Sequence, residues 1–215
     1  MAEGNRPGEL PEEVAAIRAE LKAFYDLPDE NGDRIGGRKF GIYAFHDYDG
    51  EPIYVGQTYE GVSSRVGRHL TNQRTDAVAM NVLDPFEVAE VRVWVFDLGH
   101  LGRRDQQSVL NQAEYTVFQM LLAESRLGAV LNEKPPLATD LIELPPDYRR
   151  RIIPEAVFAR RKHPDVRIAR RATTIANLAR VISERKVQSG LRRTLVTQAR
   201  RLELLAQKRL SETGG

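Results

Sequence analysis

The chain contains no cysteine. That excludes disulfides and thiolate metal sites, and it fits a reducing, cytoplasmic setting. Its four histidines, His46, His69, His100 and His163, are scattered, with no pair at zinc-ligand spacing. No run approaches the eighteen or so apolar residues that a membrane helix needs, so no membrane partner is expected. The N-terminus, MAEGNRPGELPEE, lacks the basic-then-apolar layout of a secretory signal. Internal repeats and low-complexity tracts are also missing. What is present is a water-compatible composition, 41% hydrophobic and 29% charged over 215 residues. That is enough for one sizeable domain, or a domain with an appendage.

Charge is nearly balanced overall at +2 but unevenly placed. From Arg149 onward there are 18 Lys/Arg against 5 Asp/Glu, a net of +13. Residues 1–148 hold 14 against 25, a net of −11. Such asymmetry points to an anionic partner, nucleic acid first, or to two parts that neutralise each other within the fold.

Residues 1–9 read as a frayed end. Val14, Ile17, Leu21 and Phe24 or Tyr25 stand at helical spacing over 10–26, and DLPDENGDRIGG is a loop. Residues 38–46 and 51–57 read as two strands joined at Asp49-Gly50. SSRVGRHLTNQR is a short helix. EVAEVRVWVFDL alternates at Val88, Val91, Val93 and Val95, a third strand. RRDQQSVLNQAEYTVFQMLLAESR is a long helix, LGAVLNEKPP a turn with a short extended piece, and LPPDY a linker near 144–148. Helices follow over 164–186 and 190–210, with Gly190 at the break. The expected fold class is therefore α/β (α+β): a three-stranded antiparallel sheet flanked by helices. The expected division is an N-terminal helix and loop (1–37), a core domain (38–143) and a basic helical region (144–215).

A two-residue turn at Asp49-Gly50 sets Tyr43 opposite Gly56 and Phe45 opposite Tyr54. These four then share one face, while Ile42, Ala44, Ile53 and Val55 take the other. Gly56 leaves a gap beside the Tyr43 phenol, open to packing or to a substrate. Pro52 leaves room for a larger turn and another register. In SSRVGRHL, Val62, Val66 and Leu70 form a stripe, with Arg65 and His69 together along one edge and Arg68 further out. Such an arginine can clamp a phosphate and such a histidine can relay a proton; both can also be ordinary residues flanking an apolar stripe. Glu114 falls in the middle of the apolar face shared by Leu110, Val117, Phe118 and Leu121. A carboxylate there must meet a cation, gain a proton or reach a cleft. The readings are a largely hydrated Mg²⁺ or an ion pair with an arginine such as Arg65.

Gly41-Ile42-Tyr43, Tyr54-Val55-Gly56, Arg65-x-x-x-His69, Glu114 in AEYTVF and Asn132 in LNEKPP occur in that order. In this the sequence resembles the GIY-YIG nuclease domain over about residues 38–135. The resemblance implies a small α/β core that hydrolyses phosphodiesters in DNA with one divalent metal, Mg²⁺ or Mn²⁺, leaving 5′-phosphate and 3′-hydroxyl ends. It implies that Glu114 holds the metal and Arg65 neutralises the phosphate. Tyr43 would help deprotonate water, its pKa lowered by a nearby cation, and His69 would accept the proton or orient Tyr43. Tyr54 would contact phosphate or water, and Asn132 would support the site. Gly56 would leave space for the sugar-phosphate backbone.

The C-terminal helices carry apolar stripes at Ile168, Ile175, Leu178 and Ile182, then Leu191, Leu195, Leu202 and Leu205. With Arg68, the polar-face residues Arg170, Arg171, Arg192, Arg193, Arg200 and Arg201 are candidates for DNA phosphates or form a solvated face of a dimerisation pair. The expected function is a cytoplasmic, restriction-like endonuclease that binds DNA and pairs as a homodimer, with no small-molecule cofactor. The rivals are a structure-specific or single-strand repair nuclease and a catalytically silent DNA-binding or assembly protein.

Overall fold

The computed structural model describes residues 12–71, 82–132, 134–184 and 189–214. The expected frayed N-terminus and the end of SSRVGRHLTNQR lie outside the described residues. The elements are α1 (Glu12–Tyr25), β1 (Phe40–His46), β2 (Pro52–Thr58), α2 (Val62–Thr71), β3 (Glu90–Phe96), α3 (Arg103–Glu124), β4 (Asp147–Arg151), α4 (Glu155–Lys162), α5 (Pro164–Glu184) and α6 (Ser189–Glu212). The fold is α+β, with an antiparallel sheet in the order β2-β1-β3-β4. Among the described residues, no helix is long and apolar enough to cross a membrane.

β1 is buried along its whole length because FGIYAFH feeds two cores. Tyr43 and Phe45 join Val91 and Val93, α1 residues Leu21 and Phe24, and α2 residues Val62 and Val66 on one face. Ile42, Ala44, Val55 and Trp94 meet Leu110, Ala113, Val117 and Leu121 of α3 on the other. The helices thus sandwich the sheet, as alternation on β1 requires.

The sheet has four strands, not three. LPPDY reads as a linker by its two prolines, and the arginines after it show no apolar alternation, yet Asp147–Arg151 pairs with β3 as an edge strand. Ion pairs on the sheet hold it: Arg92 Nε donates to Asp147 Oδ2 (2.6 Å), and Arg149 pairs with Glu90. Arg150 Nη2 reaches Glu20 of α1 at 2.8 Å. Cross-strand charge replaces the usual aliphatic signal. The boundary at 143/144 also does not divide the structure. Ile152, Val157, Leu178 and Leu191 belong to the same core cluster as Tyr43 and Phe45.

The β1–β2 connection differs from a two-residue turn. Tyr43↔Gly56 and Phe45↔Tyr54 pair as expected, but the register shifts at a bulge, so His46 opposes Pro52. Ile53 is thereby turned into the Tyr43–Phe45 core rather than the α3 face. Asp47 organises the wider turn. Its Oδ1 accepts from Asp49 N (2.8 Å) and Glu51 N (3.1 Å). Gly50 closes the bend with φ +75°.

The other oxygen of Asp47 anchors the C-terminal helices. Oδ2 accepts from Arg167 Nη2 (3.0 Å), Arg171 Nη2 (2.9 Å) and Arg201 Nη2 (2.6 Å). Arg167 Nη1 also donates to Asp49 Oδ2 at 2.5 Å, and Arg171 Nη2 to Glu87 Oε2 at 2.7 Å. Arg171 and Arg201 are therefore buried ion-pair partners, not phosphate-tracking residues. The buried line of α5 runs Arg167, Arg171, Thr174, Leu178, Val181, and that of α6 runs Leu191, Thr194, Gln198, Arg201, Leu205. The expected stripe of Ile168, Ile175 and Ile182 is only half-buried. Replacing Asp47 by Ala strips a shared acceptor from three buried guanidinium groups. Equilibrium urea unfolding should show a loss of about 3–5 kcal/mol.

Candidate functional site

Tyr43 is the centre of the site. Its side chain is 1% exposed and its hydroxyl lies 2.8 Å from His69 Nε2. Arg65 Nε donates to the same hydroxyl at 3.3 Å. Arg65 and His69 stand one turn apart on α2, and Val62 and Val66 seat that helix on the sheet, so both side chains are delivered to the strand carrying Tyr43. Because Arg65 can only donate, the phenol's own proton goes to His69 Nε2. His69 supports this. Burial, with Arg65 and Arg68 nearby, lowers its pKa to about 4, leaving a neutral, accepting imidazole at pH 7. Tyr54 packs on the same face, its ring 5.2 Å from His69 and 6.2 Å from Tyr43.

Two expectations about Tyr43 are corrected. Burial, with Tyr54 adding to it, pushes its phenol well above the ordinary value, and Arg65 does not overcome this. A pKa lowered by a cation is not what this environment produces. Nor does Gly56 leave a gap for substrate. A Cβ at position 56 would lie 2.5 Å from the Tyr43 hydroxyl and 2.6 Å from the ring carbon bearing it. The glycine exists to let the phenol itself cross β2.

Glu114, on α3, is only partly buried, because the Leu110–Ala113–Val117–Leu121 stripe faces the sheet and leaves it at the margin. Desolvation raises its pKa to about 7, while Arg65 and a hydrogen bond from Gln57 pull it down. No described residue forms an ion pair with it within 4 Å. Arg65 instead approaches Glu60, at 4.0 Å, beside the closer Arg68–Glu60 pair. Thus the Arg65 ion-pair reading of Glu114 does not describe this arrangement.

Asn132 forms a clamp on the β2 edge. Its Oδ1 accepts from Val55 N (3.1 Å) and its Nδ2 donates to Val55 O (2.8 Å). Leu131 N adds a bond to Ile53 O at 2.9 Å. The side-chain amide therefore imitates a fifth strand for one residue, next to Tyr54.

Polar neighbours of Glu114 escaped the sequence reading. Tyr59 donates to Gln57 Oε1 (2.9 Å), Gln57 to Asn111 Oδ1 (3.2 Å) and Gln107 to Asn111 Oδ1 (2.7 Å). Gln107, Asn111 and Glu114 stand at i, i+4 and i+7, a polar helix line that the spacing itself could have disclosed.

The outlying arginines separate into classes. Arg68 is tied to Glu60, and Arg170 donates to Asp84 at 3.0 and 2.9 Å over the Phe86 ring. Arg192, Arg193 and Arg200 are exposed on α6.

Among the described residues, no group of three or more His, Cys, Asp or Glu side chains could hold a metal ion. The donor chemistry available is a single carboxylate with a polar rim, which suits a cation that retains most of its waters and not a dehydrated zinc. Compared with known proteins, the chain matches no family model, no curated protein and no solved structure.

Two predictions follow from burial. Gly56→Ala should displace the Tyr43 ring and cost about 1–3 kcal/mol in urea unfolding, with loss of the hydroxyl contact visible in the His69 NMR signals. His69 has a folded-state pKa near 4 and an unfolded value near 6.5. Between those values only the unfolded chain takes the proton, so stability falls as pH drops through this window and is unaffected by this group above it. His69→Gln should flatten that part of the stability–pH curve.

Proposed function

We propose that the chain is a divalent-metal-dependent endonuclease acting on DNA phosphodiester bonds. The observation that carries this reading is Glu114: an acid left without an ion-pair partner, pushed to about 7, within the electrostatic reach of Arg65 and Tyr43. The order of motifs resembling the GIY-YIG domain supports the same chemistry. Glu114 would hold Mg²⁺ or Mn²⁺, and the ion when bound would supply positive charge at the scissile phosphate.

The remaining work falls to the chain's own side chains. Arg65 is held through Nε by Tyr43 and keeps its outer nitrogens near solvent, where they can neutralise a phosphate oxygen as a preorganised donor. His69 fixes Tyr43, and Tyr43 fixes Arg65. Both buried rings act first as positioning residues. The 2.8 Å contact between the phenol and His69 Nε2 fixes the orientation of the hydroxyl that holds Arg65. Tyr54, half-buried beside them, is the phenol placed to contact phosphate or water. Asn132 keeps its strand in register. The products are a 5′-phosphate and a 3′-hydroxyl. Exposed Arg192, Arg193 and Arg200 would add phosphate contacts, and two copies would serve double-strand cleavage in a restriction-like role.

Nicking of supercoiled plasmid, with and without Mg²⁺ or Mn²⁺, tests the proposal. Cleavage should require the ion and fall about 10²–10³-fold in Glu114→Gln. No cleavage of supercoiled, single-stranded or branched DNA by the parent chain would refute it. The Glu114 carboxyl near 7 adds a pH signature. Since metal competes with the proton, activity should rise through about pH 7, and the midpoint should move to lower pH as Mg²⁺ increases.

A further inference from the structure

A second site lies away from Tyr43, Arg65 and Glu114, where the β1–β2 turn meets α6. A cleft of about 390 Å³ opens there, a volume typical of small-molecule sites. Leu127, Leu204 and Leu205 give it an apolar wall, and Arg126, Arg201 and Lys208 supply cationic groups. Leu205 is buried, whereas Leu204 is 50% exposed, so the apolar surface is reachable from solvent.

Five cations, Arg126, Arg167, Arg171, Arg201 and Lys208, meet the acids Asp47, Asp49, Glu51 and Glu87, and Lys208 also approaches Glu212 at 3.9 Å; formal charge balances, and what is left open is hydrogen bonding. The acids are already engaged. Asp47 Oδ2 serves three arginines, Asp49 takes Arg167, and Glu51 accepts from the Ser125 hydroxyl and Arg126 N. Arg201 is the least satisfied of these cations. It is 4% exposed, its Nη2 is spent on Asp47, and its Nη1 has no hydrogen-bond partner. A buried guanidinium N–H left unpaired is costly. A void of about 10 Å³ that also touches Arg201 has room for no more than one water. Burial weakens the hold of Arg201 on its proton, and the neighbouring Asp47 works against this without overcoming it.

We infer that this cleft binds a small organic anion: one phosphomonoester or carboxylate group directed at Arg201, Arg126 and Lys208, on an apolar body lying along Leu127 and Leu204. The inference does not depend on the nuclease reading, because the cleft shares no residue with that site.

Isothermal titration calorimetry of the full chain with phenyl phosphate, benzoate and inorganic phosphate tests it. At least one organic probe should bind about tenfold more tightly than inorganic phosphate and raise the melting temperature with dose. Phenyl phosphate alone would identify a phosphomonoester site, and benzoate alone a carboxylate site; either supports the inference. The exposed rim variant Arg126→Glu/Lys208→Glu should weaken binding at least about tenfold with an unchanged circular dichroism spectrum. Arg201→Met should abolish binding; should it fail to fold, the rim variant decides. Absence of binding by both organic probes at millimolar concentration, inorganic phosphate binding as tightly as they do, or undiminished affinity in the rim variant would overturn the assignment.

Discussion

One carboxylate, Asp47, joins the two halves of the molecule. One oxygen shapes the turn of the β1–β2 hairpin, and the other collects three guanidinium groups from α5 and α6. A single buried acid cannot balance three buried bases, so Asp49 and Glu87 are drawn into the same network. Desolvation makes such a network expensive, and its value lies in fixing one arrangement over others. Here it fixes the angle at which the C-terminal helices meet the hairpin bearing Tyr43 and Tyr54. The opposite charges of the two chain segments are therefore spent partly on each other, and only part of the C-terminal basicity remains for a partner.

The candidate site follows a related logic of layers. Tyr43 and His69 are buried and neutral; Arg65 spans the boundary; Glu114 and Tyr54 sit at the margin. Each layer orients the one outside it. The phenol passes so close across Gly56 that the inner layer leaves no room for a side chain at that position.

Much of this was legible in the residues. The pairings Tyr43↔Gly56 and Phe45↔Tyr54 follow from the Asp49-Gly50 signal because the bulge falls just beyond them. The edge placement of Arg65 and His69 follows from the Val62–Val66 stripe. β4 was hidden because charged cross-strand pairs, rather than alternating aliphatics, hold DYRRR. Arg171 and Arg201 were misplaced because helical periodicity of apolar residues ranks Ile168 and Ile175 above an arginine. Only the distant Asp47 makes burial of those guanidinium groups tolerable, and no local window contains that partner. The same holds for Gly56: spacing locates the glycine opposite the tyrosine, but only side-chain direction tells which of them fills the space.

The reach of the Asp47 network has a temporal side. Arg201 contacts Asp47 across 154 positions of chain. During synthesis, the hairpin emerges long before its last counter-ion exists. Its turn can form early by itself, but the angle between hairpin and helices is set only once the segment bearing Arg201 has been made and has folded back.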